Sequence, residues 1–274
     1  MNLLTFDIEE WSIFHEQGCS VSETRARQDR LLEWILDLLD LHHYKATFFC
    51  LGEIARKCPY VIRNIHARGH EIACHSDTHN WLPMFSAREL SEDTKRAIGS
   101  LEEIIGTKVR GYRAPAFSIG IRNKWALEVL YENGIEYDCS IFPAVRDFGG
   151  FPQIEMDCPA IIRYQDISLK EFPICVKPFF RKKIAFSGGG YFRLFPYAWL
   201  RKWIAEKNYV MTYFHMHDFD VKQERRLSLR YFKSYYGIAG ASLKLERLLH
   251  EFPFVNVEQA DRIIDWNSVP KIIL

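Results

Sequence analysis

Apolar and polar positions along this chain switch between two periods. Short apolar runs such as Leu3–Ile8 and Ala46–Leu51 are rich in strand-forming residues and read as buried strands. Between them leucine and isoleucine recur at helical spacing. Leu31, Leu32, Ile35, Leu36, Leu38 and Leu39 predict a helix over about 28–43, and Pro59 and Gly69 bracket the next helix with the usual proline-first, glycine-last asymmetry. Ser86 followed by Glu89 is a capping-box signature for a helix reaching Ile105, with Gly106 as its stop. Val109–Tyr112 reads as a strand, 122–133 as a helix stopped by Gly134, and Ile135–Cys139 as a strand. The stretch 142–170 has scattered prolines and no clear period, which predicts loops and a small hairpin. Beyond it, Phe172–Ile174 reads as a strand, Ser187–Arg193 as a glycine-rich loop, 196–208 as a helix and 209–214 as a strand. An amphipathic helix over 242–252 and a final strand over 254–257 close the pattern.

Strand and helix patterns alternate about seven times, which implies parallel strands with helices packed outside them. No fixed-period repeat and no low-complexity linker interrupts the alternation, so one α/β domain spanning 1–274 is the simplest organisation, with about 142–195 as an insertion of loops. In such folds functional residues gather past the carboxyl ends of strands. Asp7, Glu9, His75, His79, Arg113, Asp138 and His215 all stand at predicted strand ends.

The organising stretch is Gly69–His79, GHEIACHSDTH, where a short apolar strand runs into two histidines four residues apart. Neutral imidazole is a common transition-metal ligand, and histidines at this spacing can face one point. Two histidines alone also fit a polar strand end. A nearby carboxylate turns the pair into a familiar catalytic metal set with a position left for water, whose pKa such a metal lowers to about 7. Asp7 and Glu9 are two apart and would share a face of a straight strand, so one can bind the metal while the other takes a proton. Arg113 could keep that base ionised, and His215 could donate to a leaving amine. Together these parts describe metal-assisted hydrolysis of an amide or ester. Plainer readings exist: Asp7 and Glu9 as a strand end, Arg113 in a surface ion pair, and His215–Asp220 as a second metal site. Gly188–Gly190 lacks the GK[ST] ending of a phosphate loop.

Composition narrows the classes further. The chain has 274 residues, 48% of them hydrophobic, enough for a sizeable core. With 36 basic against 35 acidic residues it has no global field to steer nucleic acid or an anionic membrane. No basic leader with a long apolar run and no run of about 18 apolar residues is present, so neither a secretory signal nor a membrane span is expected. The seven cysteines (19, 50, 58, 74, 139, 158 and 175) form no CxxC pair and point to reduced thiols in a cytoplasmic protein.

These motifs resemble those of the polysaccharide deacetylase (NodB-like) family, carbohydrate esterase family four. Thr5-Phe6-Asp7-Ile8-Glu9 resembles its acidic motif after the first strand. Gly69–Ile72 with His75-Ser76-x-x-His79 is similar to its GHEI-led histidine motif, and Arg113-Ala-Pro115-Ala-Phe117 to its arginine–proline motif. Tyr137-Asp138-Cys-Ser140 and Tyr213-Phe214-His215 resemble two later stretches. Gly188–Leu194, His215–Asp220 and Leu245–Phe254 are similar to a subgroup found with exopolysaccharide biosynthesis. The resemblance implies a distorted (β/α)7-type barrel and a divalent metal, most often zinc, acting on an N-acetylated sugar or oligosaccharide. It implies Asp7 as base, Glu9, His75 and His79 as metal ligands, Arg113 positioning Asp7, and His215 as acid. Phe117, Asp138 and Tyr191 are then expected to contact substrate.

The chain departs from the family pattern in three places: Ile8 splits the adjacent acidic pair, His215-Met-His217 replaces a His-Pro-Trp, and no aspartate is evident to orient His215. Glu171 and Asp220 are the candidates for that last role. Two other functions stay open at this point: hydrolysis of a non-sugar amide or cyclic imide, and a non-catalytic carbohydrate-binding relative.

Overall fold

The computed structural model describes residues 1–10, 21–223 and 235–274. In chain order the elements are β1 (Asn2–Leu3), β2 (Thr5–Ile8), α1 (Val21–Leu41), β3 (Thr47–Cys50), α2 (Gly52–Lys57), α3 (Pro59–Ala67), β4 (Glu71–Cys74), α4 (Ala87–Ile105), β5 (Gly111–Tyr112), α5 (Ala126–Glu132) and β6 (Tyr137–Asp138). Then follow β7 (Ala160–Tyr164), β8 (Ile167–Glu171), β9 (Lys177–Phe179), β10 (Lys182–Ile184), α6 (Gly189–Leu194), α7 (Tyr197–Ala205), β11 (Val210–Met211), β12 (Phe214–His215), α8 (Ala241–Glu251), α9 (Val257–Ile263) and β13 (Lys271–Ile273).

Nine strands form one sheet in the order β12-β2-β3-β4-β5-β6-β8-β7-β13, and β1 pairs with β11 beside it. Every neighbour in the nine-stranded sheet is parallel except β7 against β8. β2 and β3 are buried along their whole length, although β2 alternates polar Thr5 and Asp7 with apolar Phe6 and Ile8. Counting β1 with β2 and β11 with β12, the inner wall has seven staves ending at β8, a (β/α)7-type barrel. Its distortion is a seam: among the described residues no backbone ladder joins 171–175 to 209–212. Side chains span the gap instead. The Tyr209 hydroxyl donates to the Pro173 carbonyl (3.0 Å), and Cys175 Sγ lies 3.2 Å from the Tyr209 carbonyl oxygen.

The predicted caps recur. Ser86 Oγ accepts the Glu89 N–H while Glu89 accepts the Ser86 N–H (2.8 Å), and Gly106 closes α4 in the left-handed conformation (φ 68). Three expectations change. Phe172–Ile174 is not a strand, because Pro173 has no N–H to continue the β8 ladder. At 254–257 only Val255 bridges to Leu3, since Asn256 caps α9 and turns the chain into a helix. Ser187–Arg193 is a loop only to Gly188, the residue before α6 begins at Gly189. The hairpin expected within 142–170 is β7–β8; α2, β9, β10 and β13 were too short to announce themselves by period. Among the described cysteines, Cys50, Cys58, Cys74, Cys139, Cys158 and Cys175 are free thiols, and Cys19 lies outside the described residues.

One interior pair sets a pH dependence of stability. Asp138 and Glu171 are register partners on β6 and β8, and both are fully buried. Ser140 Oγ donates to Asp138 (2.6 Å) and the Ile141 N–H to Glu171 (3.0 Å). Burial first, and the facing Asp138 second, push Glu171 well above the usual carboxylate range, so the pair shares a proton. The folded state then binds more protons than the unfolded chain above pH ~4.3, the ordinary glutamate value, and stability falls as pH rises from there. Glu171→Gln keeps the Ile141 hydrogen bond and removes the titration. Urea midpoints of this variant are expected to fall less between pH 5 and 8 (a range about the ordinary histidine pKa) than those of the parent chain; parallel curves would reject the shared proton.

Candidate active site

Asp7 of β2 stands opposite His215 of β12, so strand register alone sets these two side by side. Glu9 follows the end of β2, and His75 the end of β4, its N–H donating to the Cys50 carbonyl (3.0 Å). The chain then turns through Ser76 (φ 69) to His79 (φ 61), left-handed positions that histidine tolerates better than most residues. Ser76 Oγ accepts the His79 N–H (3.1 Å), and Asp93 accepts the Asp77 N–H (2.9 Å). The first turn of α2 supports the loop from beneath: the N–H groups of Gly52 and Glu53 donate to the carbonyls of Ser76 (3.1 Å) and Asp77 (2.9 Å). A Cβ on Gly52 would lie 2.6 Å from Ala97 Cα and collide with the Asp77 carboxylate, so this approach requires glycine.

His79 Nε2 lies 2.6 Å, and His75 Nε2 3.6 Å, from Glu9 Oε2. His75 Nδ1 is 2.7 Å from the Arg113 carbonyl oxygen, which can only accept. Nδ1 therefore carries a proton, and Nε2 is the ring atom that faces Glu9. The donor atoms of Glu9, His75 and His79 all lie within 4.8 Å of one another. One carboxylate oxygen and two imidazole nitrogens converging at this distance fit a divalent cation with coordination positions to spare. The electrostatics agree: burial would raise Glu9, but the surrounding His215, His75 and His79 outweigh it and hold the carboxyl well below its ordinary value.

Asp7 does not join this donor set. Its Oδ1 accepts from Arg113 Nη1 (2.6 Å), with both side chains almost wholly buried. The guanidinium is fixed by the Phe49 ring (4.0 Å to its centroid). The second carboxylate oxygen of Asp7 lies 3.6 Å from His215 Nε2, which is also 3.8 Å from Glu9. Burial opposes charge on His215, but Glu9, Asp218 and Asp7 overcome it and push its pKa up to about 10.

Neither Glu171 nor Asp220 orients His215. Glu171 is occupied in the interior with Asp138, and Asp220 accepts from Arg27 Nε (2.8 Å). The orienting group is Asp218: its Oδ2 accepts the His215 N–H (3.0 Å) and lies 3.5 Å from the ring Nδ1. Arg193 Nε, 3.1 Å from Asp218 Oδ1, anchors the carboxylate from α6. The glycine run explains how α6 comes so close, since a Cβ on Gly188 would overlap the Tyr213 carbonyl. The one sequence signal for Asp218 was its i+3 spacing from His215. His217 stacks on His215 (4.8 Å between ring centroids), with its ring Nδ1 3.0 Å from Glu10 Oε1.

The three residues expected at substrate separate. Asp138 is fully buried against Ser140 and Glu171, so it has no face to offer a ligand. Phe117 is buried beneath the site, edge-on to Tyr213 and 5.5 Å under Arg113. Tyr191 alone is exposed, on α6. Sequence reading overlooked Trp81, two residues past His79, whose ring packs on Phe148 with centroids 4.2 Å apart.

A family model described as polysaccharide deacetylase matches residues 3–137, and one described as a domain of unknown function (DUF3473) matches residues 139–262. Over 95 residues the chain is 33% identical to a peptidoglycan-N-acetylglucosamine deacetylase of Bacillus cereus, covering 33% of this chain and 35% of that protein. Over 97 residues it is 36% identical to a chitooligosaccharide deacetylase of Bradyrhizobium sp., covering 35% and 42%. The chain thus spans less than half the length of these curated relatives. Among solved structures it is similar to a Mycobacterium smegmatis protein provisionally described as a polysaccharide deacetylase (TM-score 0.69, 20% identity, 100% of this chain and 92% of that one). It is also similar to a carbohydrate esterase family four pseudoenzyme of Bacillus anthracis (TM-score 0.54, 13% identity, 100% and 69%). At these identities the likeness to solved structures is one of fold.

Proposed function

We propose that this chain, whose residues 3–137 belong to the polysaccharide deacetylase family, removes acetyl groups from an N-acetylated sugar or polysaccharide precursor with a divalent cation held by Glu9, His75 and His79. Two imidazoles and a carboxylate are a catalytic zinc set. The observation that carries the reading is the convergence of five side chains on one point: the Glu9–His75–His79 donor set, with Asp7 and His215 both beside it.

When bound, the cation would supply Lewis acidity to the acetyl carbonyl and to the attacking water. Asp7, positioned by Arg113, takes a proton from that water as its oxygen adds to the carbonyl carbon. His215, held as imidazolium by Asp218 and the neighbouring carboxylates, stands beside Asp7, its Nε2 3.6 Å from that carboxylate. As the C–N bond breaks, it gives its proton to the nitrogen, and acetate and a free amine leave. The Trp81–Phe148 pair, half-buried at Trp81 and exposed at Phe148, offers an apolar ring face beside the His79 loop on which a pyranose could lie.

Acetate release from N-acetylated chitooligosaccharides by zinc-loaded protein is the direct test. Release confirmed by mass loss of one acetyl per turnover is expected. Ring opening of a cyclic imide with no acetate release would transfer the site to a different amide, and no turnover of either by protein that holds its metal would leave only binding. The orienting role of Asp218 has its own outcome. Asp218→Asn is expected to lower kcat by about 100-fold, the lower end of what a positioned proton donor contributes, while metal content stays that of the parent. Unchanged kcat would remove Asp218 from the machinery.

A further inference from the structure

β9 and β10 form a hairpin outside the main sheet, in register Phe179 to Lys182, Pro178 to Lys183 and Lys177 to Ile184. Its turn is the dipeptide Phe180-Arg181. A two-residue turn with positive φ at its first position favours glycine or asparagine there. Here that position is a phenylalanine at φ 51 and 94% exposed, a conformation that costs a bulky side chain of order 1–3 kcal/mol. A fold that keeps a strained, solvated Phe at a hairpin tip is displaying it.

The surroundings are equally uneven. Lys177–Ile184 carries four cations and no acid, in a chain whose net charge is only +1. Lys177 pairs with Glu206 (2.8 Å), while Arg181, Lys182 and Lys183 form no ion pair among the described residues. Behind the tip an aromatic surface continues. Phe180 abuts Phe179 (4.8 Å between centroids), Phe179 neighbours Trp199 (6.4 Å), and Phe195 stacks between Trp199 (6.0 Å) and Tyr191 (6.1 Å). Trp199, Leu194 and Tyr191 are all exposed. An apolar tip collared by unpaired cations matches the boundary of a bilayer, where a ring enters the acyl edge and ammonium groups meet phosphates.

We infer that the β9–β10 hairpin docks this protein on an anionic lipid surface, with Phe180 entering the interface and Arg181, Lys182 and Lys183 on the headgroups. An acidic polysaccharide fits less well. No side chain from Lys177 to Ile184 can accept a hydrogen bond, so a sugar's hydroxyl donors would go unmet, whereas lipid phosphates are acceptors only. No described helix is long and apolar enough to cross a membrane, and the docking is peripheral.

Co-sedimentation of the full chain with vesicles tests it and needs neither metal nor substrate, so its outcome is separate from that of the deacetylase reading. Binding is expected to vesicles of phosphatidylcholine with phosphatidylglycerol, to weaken with salt, and to be slight on phosphatidylcholine alone. Charge reversal at all three positions (Arg181→Glu, Lys182→Glu, Lys183→Glu) should weaken binding by about 100-fold, at roughly fivefold per charge. Phe180→Asn is the more telling variant. Asparagine suits the turn, so the melting temperature should hold or rise while vesicle binding falls by about tenfold or more, the scale of one ring withdrawn from an apolar phase. Equal sedimentation with both vesicle types would overturn the inference. So would binding to polygalacturonate, but not to phosphatidylglycerol vesicles, that the same variants abolish.

Discussion

Asp7→Asn is expected to cut turnover by about 10³–10⁴-fold, the upper range for loss of a positioned base, in a protein that still folds and still holds its metal. Asparagine has nearly the shape of aspartate, and its carbonyl can still accept from Arg113, now 2.6 Å from Asp7 Oδ1. What it cannot do is take a proton from water. The loss should therefore fall on kcat, with little change in KM.

The same change has a price in stability, because Arg113 is almost wholly buried and would lose its counter-charge. Removing one partner of a buried ion pair costs about 3–5 kcal/mol, and the surviving hydrogen bond places this case at the lower end. Activity must therefore be measured below the variant's own unfolding temperature, with metal content determined on the same sample. The ligands Glu9, His75 and His79 are untouched, so metal should remain stoichiometric. Full turnover by Asp7→Asn would remove Asp7 as the base. Lost metal would instead make Asp7 a ligand, contrary to its place on Arg113.

How far the sequence disclosed this arrangement depended on what each residue type commits to. Parallel strands buried on both faces are rich in apolar residues, so β3 was plain in TFFC, and β2 and β4 in the short apolar stretches that hold TFDI and EIAC. The capping box of α4 is a local hydrogen-bond pattern, and it was legible for the same reason. The HxxxH spacing showed that two imidazoles could meet, and the GHEI lead placed them at a strand end.

Asp218 was obscure because the sequence left Glu171 and Asp220 equally open, and only the single 3-10 turn Met216–Asp218 decides which carboxylate folds back on His215. Asp138 misled for a related reason. A two-residue strand has no alternation from which to judge its inward face, and Asp138 turned out to face Glu171. The Phe180 turn was unreadable because its sequence argues against a two-residue turn; the strands around it impose one.

The ligand set is tested most cleanly at His79. It is the accessible member, with 31% of its side chain exposed, whereas His75 is enclosed and bonded to the Arg113 carbonyl. Alanine at 79 would confuse two effects, since φ is 61 there and only a few residue types accept that conformation. Asparagine accepts it and lacks the imidazole, so His79→Asn should leave the melting temperature of metal-free protein nearly unchanged. Zinc affinity should nevertheless fall by more than the roughly 10–100-fold that loss of an outer-shell partner costs, because a direct donor is gone and only Glu9 and His75 remain. Turnover at limiting zinc should then disappear, and excess zinc should restore part of it. Competition with a chromophoric chelator reads the affinity, and differential scanning calorimetry of parent and variant, each with and without zinc, reads the linkage. A ligand that binds only the folded state raises its stability by RT ln(1 + [L]/Kd), so the zinc-induced rise in melting temperature should shrink in step with the affinity. A His79→Asn protein that kept both the parent's affinity and its thermal shift would exclude His79 from the metal centre, and with it the geometry on which the hydrolytic reading rests.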